Sequence, residues 1–344
     1  MITFQFEGTS HGKGYCGTIF GLPKGFVADV SQINFQLKQR KCGIGRSARQ
    51  QHDDVVVFPN GNAAVDGVLE FFVPNACVEN RAEITALRSG HADLTGKARF
   101  PQKSVREIAE IASARNSVCY VVLGAICKQI LQQKGIFTYH YVEKIGGISS
   151  RNRYRFGISE KEAHFAVLHC PCRYATNLMV QKIVEARESG NSLGGIVAVG
   201  ATGVPCGVGE LLPYSARLDA QISANLMGIP SVKGITFGAA SKLADLTGVE
   251  ANDKLQLKDG KIVYAENKCG GIVAGISTGQ DILCHLTVKP VPTVKGVETV
   301  DSRTLQTVEQ HFERADTCVV PNVGVIAENI LAYVIANQMS AQNL

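Results

Sequence analysis

The feature that most limits how this chain can fold is the run from Ser104 to Lys134. It reads as one long helix. Ser104 can cap its start, and Glu107 stands three positions on, the spacing of a capping box. Gly135 follows its end, where a helix commonly stops. Within it, Val118–Cys127 is apolar nearly all round. A helix with no polar face must lie between two layers of structure. The apolar run is only about half of a bilayer span, so it reads as a buried helix.

Strand patterns surround it. Residues 2–8 alternate polar and apolar and end at Gly8; residues 17–22 form a second strand closed by Pro23 and Gly25. Residues 136–148 and 194–203 read as strands. Gly270–Ser277 and Asp281–Pro290 read as a strand pair with its turn at Gly279. Residues 30–40 read as a helix with Asp29 or Ser31 as N-cap. Helices are also expected over 176–189, ended by Gly190, over 216–227, and from about 322 to 338. Each half gives strands and then a buried helix. That order implies α+β architecture with two sheets around central helices. No G-x-G-x-x-G motif leads from a strand into a helix, which weakens a dinucleotide-binding reading.

The chain has 344 residues, enough for one large or two fused domains. With 45% hydrophobic and 19% charged residues it has ample core, which excludes extensive disorder. The net charge of +5 suits a small anionic substrate. The densest basic cluster is Lys38, Arg40, Lys41, Arg46 and Arg49, interleaved with Gly43 and Gly45. There is no Trp, and only Phe35 lies close by. That pattern points to a phosphate or carboxylate site, not to a base-stacking nucleic-acid platform. Eleven Cys residues, with charged and polar groups throughout residues 1–20, imply reduced thiols in a cytoplasm and no membrane anchor. His169-Cys170-Pro171-Cys172 has a poor spacing for zinc and no second pair, so no metal is expected.

Taken singly, the remaining polar residues say little. The basic cluster could be a solvated face, His11 and His91 surface or satisfied core residues, and Asp316 a cap. The order of the blocks says more. Gly8-Thr9-Ser10-His11-Gly12, Arg40-Lys41-Cys42-Gly43-Ile44-Gly45-Arg46-Ser47-Ala48-Arg49, Arg88-Ser89-Gly90-His91-Ala92-Asp93 and Ala112-Ser113-Ala114-Arg115 come first. Ser192-Leu193-Gly194-Gly195, Gly203-Val204-Pro205-Cys206-Gly207, Met227-Gly228-Ile229-Pro230-Ser231, Gly275-Ile276-Ser277, Lys289-Pro290 and Arg314-Ala315-Asp316-Thr317-Cys318 follow. In that order, over nearly the whole length, the chain resembles the chorismate synthases.

The resemblance implies a single domain over 1–344, a β-α-β sandwich of the chorismate synthase type. Central helices would lie between two antiparallel sheets, in two pseudo-repeated halves, about 1–150 and 190–344. It implies a cytoplasmic homotetramer and a lyase that converts 5-enolpyruvylshikimate 3-phosphate to chorismate and phosphate. That step is a 1,4-anti elimination with reduced FMN, the last of the shikimate pathway. Two sources of reduced flavin stay open: reduction by the protein with a pyridine nucleotide, NADPH, or delivery already reduced. The resemblance puts His11, His91 and Asp316 in catalysis. One histidine protonates the reduced flavin, the other protonates the departing phosphate, and Asp316 acts with flavin N5 in removing the C6 proton. Arg40, Arg46, Arg49, Arg88 and Arg115 fall at substrate positions. Ala112, Ser113, Pro230, Ser231, Ala274, Lys289, Pro290, Val291, Pro292, Thr293 and Arg314 fall at flavin positions. Cys318 is expected to be a buried thiol.

The chain departs from the family pattern at Thr9 for Glu, Ile111 for Arg, Asn116 for Glu, Ala274 for Gly and Ala315 for His. The stretches 56–88 and 148–176 are short. The alternative reading is a non-catalytic relative that binds flavin or another anionic ligand.

Overall fold

The computed structural model describes residues 1–10, 12–41, 43–46, 54–75, 83–150, 165–310, 312 and 315–344. In chain order the elements are β1 (Thr3–Gly8), β2 (Gly14–Phe20), α1 (Val30–Lys41), β3 (Leu69–Pro74), α2 (Asp93–Arg99), α3 (Val105–Ile111) and α4 (Ser117–Gln132). There follow β4 (Phe137–Ile145), β5 (Ile148–Ser149), α5 (Phe165–Leu168), α6 (Arg173–Glu188), β6 (Gly195–Thr202), α7 (Leu218–Met227) and β7 (Val232–Phe237). The chain closes with α8 (Ala240–Leu243), α9 (Gly248–Ala251), β8 (Leu255–Lys258), β9 (Lys261–Tyr264), β10 (Ile272–Val273), β11 (Ile276–Ser277), β12 (Ile282–Val288), β13 (Glu298–Val300), β14 (Thr307–Glu309) and α10 (Val320–Ala341).

Two antiparallel sheets sandwich two central helices, as expected. β1, β2 and β3 form the small sheet, and the larger one has the order β5-β4-β6-β12-β7. Between them α4 packs along α10; α4 meets β2, and α10 meets β4 and β6. Val121, Val122, Ile126 and Cys127 of α4 and Leu331, Ala332 and Ile335 of α10 are fully buried. Each large aliphatic side chain so placed contributes about 1.5–3 kcal/mol. Phe4 and Phe6 of β1 meet Tyr120 of α4 edge-on, at 5.8 and 5.4 Å between ring centroids. By length and composition α10 could cross a membrane, but 89% of its most apolar window is buried, so it is a core helix.

Local chemistry sets the helix starts. Asp29 Oδ1 accepts from the backbone N–H of Ser31 (2.9 Å) and Gln32 (3.2 Å), capping α1. The capping box of Ser104 and Glu107 forms at both of its bonds, 3.2 and 2.7 Å.

Two expectations need correction. The helix over 104–134 is not continuous: α3 stops at Ile111, a 3-10 turn spans Ala114–Asn116, and α4 then begins. Ser113 breaks it by taking extended geometry (φ −67, ψ 131) while its hydroxyl accepts from the Arg115 N–H at 3.4 Å. A serine offers the backbone this alternative to helix. Gly270–Ser277 and Asp281–Pro290 do not form one strand pair. The first segment folds on itself as the hairpin β10–β11 around Ala274 (φ 52) and Gly275 (φ 87), two successive left-handed residues as a tight hairpin turn requires. β12 pairs with β6 and β7 instead.

Polar groups also run through the core. Lys128 of α4 donates to Gln36 of α1 at 2.9 Å and to Glu328 of α10. Glu328 also meets His140 Nδ1 on β4, and His140 Nε2 lies 2.7 Å from His169 Nδ1. Burial pushes Glu328 up, but Lys128 and His140 outweigh it and hold it down at about 2. Burial, reinforced by the charge of His140 and opposed by Glu328, pushes His169 down to about 3.

Candidate active site

The end of α1, the loop after it, the break before α4 and the start of α10 bring one charged cluster together. Asp54 is buried among three cations. Arg40 Nη2 contacts its Oδ2 at 2.5 Å, while Lys41 Nζ and Arg115 Nη2 both lie 3.2 Å from Oδ1. Burial pushes Asp54 up, but Arg40, Lys41 and Arg115 outweigh it and hold it below the usual carboxylate range. Burial pulls the Arg40 guanidinium below its ordinary value, with Asp54 opposing. Arg40 Nη1 donates to Ser117 Oγ at 3.2 Å, at the first residue of α4. The α3–α4 break is thus where Arg115 reaches Asp54.

Arg46 sits beside this group. Its Nη1 lies 2.9 Å from Asp316 Oδ2 and donates at 2.9 Å to Asn322 Oδ1 on α10. Burial pulls its pKa down, and Asp316 opposes that. A backbone bond from Thr317 N–H to Gly45 O, 2.7 Å, holds the two loops together. Gly45 is required there: a Cβ would come within 3.0 Å of Ile183 and 3.2 Å of the Cys318 nitrogen. Its smallness serves this chain-to-chain approach. Cys318 is buried as expected, and burial pushes its thiol up to about 12.

A second cluster lies on the loop before α2. Arg88 holds Asp93 through its backbone N–H (2.8 Å), Nε (2.9 Å) and Nη2 (2.8 Å). His91 Nδ1 lies 2.9 Å from Asp93 Oδ1 and 3.2 Å from Arg88 Nη2. Burial pushes Asp93 up, but the hydrogen bonds from His91 and Arg88 hold it well below the usual range. An ionised carboxylate can only accept. His91 therefore carries hydrogen on Nδ1, and Nε2 is its working nitrogen.

Hydrogen bonds to the backbone join the two clusters through the flavin-position segment. Leu193 N–H donates to Thr317 O at 2.8 Å, and Ser192 Oγ donates to Val291 O at 2.6 Å. Gln310 bridges Pro292 O (3.0 Å) to the Ser89 N–H (2.9 Å). Lys289 N–H donates to Ser231 O and its Nζ to Gly90 O, each at 2.8 Å. So Arg46, Asp316, Lys289, Val291, Pro292, Ser231, Arg88 and His91 share one neighbourhood. Pro230, Pro290 and Thr293 flank these residues in sequence. Ala112 and Ser113 lie at the break beside Arg115, and α3 packs on α2, which follows His91. Ile111, at the departure from Arg, is 53% exposed. Ala274 sits on the hairpin that is bonded to Leu218 through Gly275 O and bridged to Gly209. His11, Arg49 and Arg314 lie outside the described residues.

The arginine set fits anionic ligands. The Nε atoms of Arg40, Arg46 and Arg115 are buried and have no hydrogen-bond partner among the described residues. A buried donor left unpaired costs about 1–3 kcal/mol, more when charged, so three in one place call for oxyanion acceptors. Sequence reasoning missed Asp54 and Asn322 as parts of the cluster. Asp93 had a local signal, two positions from His91. Asp54 and Asn322 had none, because only the fold brings them to the arginines. An apolar cavity of about 260 Å³ lined by Ile2, Ile130, Leu131 and Met339 lies at the opposite ends of α4 and α10 and holds none of these groups.

The chorismate synthase family profile matches residues 2–340. The chain is 33% identical to the chorismate synthase of Exiguobacterium sp. over 363 residues, covering 98% of this chain and 93% of that one. It is 33% identical to that of Caldicellulosiruptor bescii over 360 residues, covering 98% and 94%. The fold is similar to a chorismate synthase crystal structure with a TM-score of 0.79 and 26% identity, over 99% of this chain and 92% of that one.

Proposed function

The chain belongs to the chorismate synthase family, and from that premise we propose how its own residues carry the reaction. Its activity is that of a chorismate synthase, a lyase acting on a small-molecule substrate. The substrate, 5-enolpyruvylshikimate 3-phosphate, brings a phosphate and two carboxylates. Arg40, Arg46 and Arg115, with Arg49 and Arg88, bind these oxyanions through charge-assisted hydrogen bonds. The three unpartnered Nε atoms carry this reading.

Asp316 takes the C6 proton. The C6–H electrons form the new double bond, the existing one shifts, and the C3–O bond breaks to release phosphate. His91 holds a proton at Nε2 for delivery within the site, since Asp93 fixes the other nitrogen. His11 is the second proton carrier. Ser231, Lys289 and the 290–293 segment, with Ala112, Ser113 and Arg314, would hold reduced FMN. When bound, it supplies an electron transiently to the electron-poor system that phosphate loss creates. The same premise extends to a cytoplasmic homotetramer, checked by sedimentation, and to NADPH as a reductant, checked by flavin reduction under anaerobic conditions.

The test is an anaerobic assay following chorismate release with dithionite-reduced FMN and without it. Turnover only with reduced FMN is expected. No turnover with reduced FMN would overturn the proposed roles and leave an anion-binding relative.

A further inference from the structure

We propose that Asn322 is a positioning residue that aims Arg46 at Asp316, an inference that rests on the proposed role of Asp316. Asn322 lies in the first turn of α10 and is 4% exposed. Its amide works in two directions. Nδ2 donates to the Arg40 carbonyl at 2.6 Å, at the end of α1, and Oδ1 accepts from Arg46 Nη1 at 2.9 Å. Arg46 Nη1 carries two hydrogens. One goes to Asn322, and the same nitrogen lies 2.9 Å from Asp316 Oδ2 as an ion pair. Asn322 therefore fixes the rotation of the guanidinium plane. Without it Arg46 Nη1 keeps a single partner and can swing toward Asp54, whose charge it already feels.

The amide suits this place for a chemical reason. A carboxylate would compete with Asp316 for the same N–H, and an apolar group would leave the Arg40 carbonyl without this donor. Only a group that donates to one neighbour and accepts from the other serves both. Because the helix that carries Asn322 is one of the two central ones, its backbone is held on several sides, and the amide is a fixed reference for a loop. A site group must be held within tenths of an ångström by what surrounds it. Asn322 meets that need without touching substrate.

The experiment is a double-mutant cycle in the full-length protein with reduced FMN. Asn322→Leu, near-isosteric, should lower kcat about tenfold, as expected for losing a hydrogen bond to a charged group. In an Asp316→Asn background the same change should leave kcat unaltered, since there is no longer a carboxylate to aim at. A merely structural role would lower kcat alike in both backgrounds, so additive losses would overturn the proposal, as would an unchanged kcat in Asn322→Leu. If Asn322→Leu fails to fold, Asn322→Asp carries the same cycle, with the same loss of coupling expected. Asp316→Asn turning over at the wild-type rate would refute the role of Asp316 itself. Slow Asp316→Asn with additive losses would refute only the role of Asn322.

Discussion

Replacing His169 by Asn should shrink the stability loss of this protein on mild acidification by about 2 kcal/mol. His169 is buried beside His140, and burial holds its pKa at about 3, against an ordinary value of 6.5. The unfolded chain therefore takes up a proton that the folded chain refuses. Stability from the neutral ring is present in full above pH 6.5 and drains away as pH falls toward 3. At pH 5 the gap is 1.5 pH units, or about 2 kcal/mol. Glu328 does not share this window. Its pKa is depressed from 4.5 to about 2, so its contribution is lost only between those values. Asn tolerates the left-handed backbone that His169 adopts at φ 55. The assay is urea unfolding at pH 7 and pH 5, at one fixed protein concentration. The variant starts weaker at pH 7 because the bond to His140 is lost, but its drop to pH 5 should shrink by about 2 kcal/mol. A variant that keeps the whole wild-type drop would refute this.

Further outcomes follow from other contacts. Arg46→Ala should raise the apparent substrate constant by roughly 10- to 150-fold, the equivalent of about 1.5–3 kcal/mol, with the circular dichroism spectrum preserved; an unchanged constant would place it outside the site. Asp93→Asn should cut kcat by about 10²-fold, because an amide can donate to His91 Nδ1 and reverse its tautomer; steady-state kinetics reads this directly. Ala274→Gly should raise the unfolding free energy by about 0.5–1 kcal/mol, since Ala274 holds φ 52. Ser104→Ala should cost about 1 kcal/mol in the same assay by removing the cap of α3.

The sequence made the layer order legible because the Val118–Cys127 run has no polar face, and only burial between layers satisfies that. Capping at Asp29 and Ser104 was equally local and equally readable. The break at Ser113 was not, because a serine within a helical pattern is common, and what decides is Arg115 reaching Asp54. The hairpin at Ala274 was missed because an alanine carries no turn signal. For the candidate site, the blocks around Arg46, His91 and Asp316 could be found along the chain. Their partners Asp54 and Asn322 could not, since each meets its arginine from a distant position. The Lys128–Glu328–His140–His169 chain was hidden for the same reason.

The last helix is also the middle of the molecule. α10 lies against α1, α4, α7, β4 and β6, and Asn337 near its end accepts from the Ile2 N–H at 2.8 Å. On the ribosome the residues that fill the centre therefore emerge after the strands and helices they pack against. Until they do, α4 has water or a chaperone where its partner belongs, and the first strand lacks its tie. The core of residues 1–341 thus cannot close until α10 has emerged. A nascent chain arrested before residue 320 should be cut readily by protease throughout residues 117–202, and protection there would contradict this order of events.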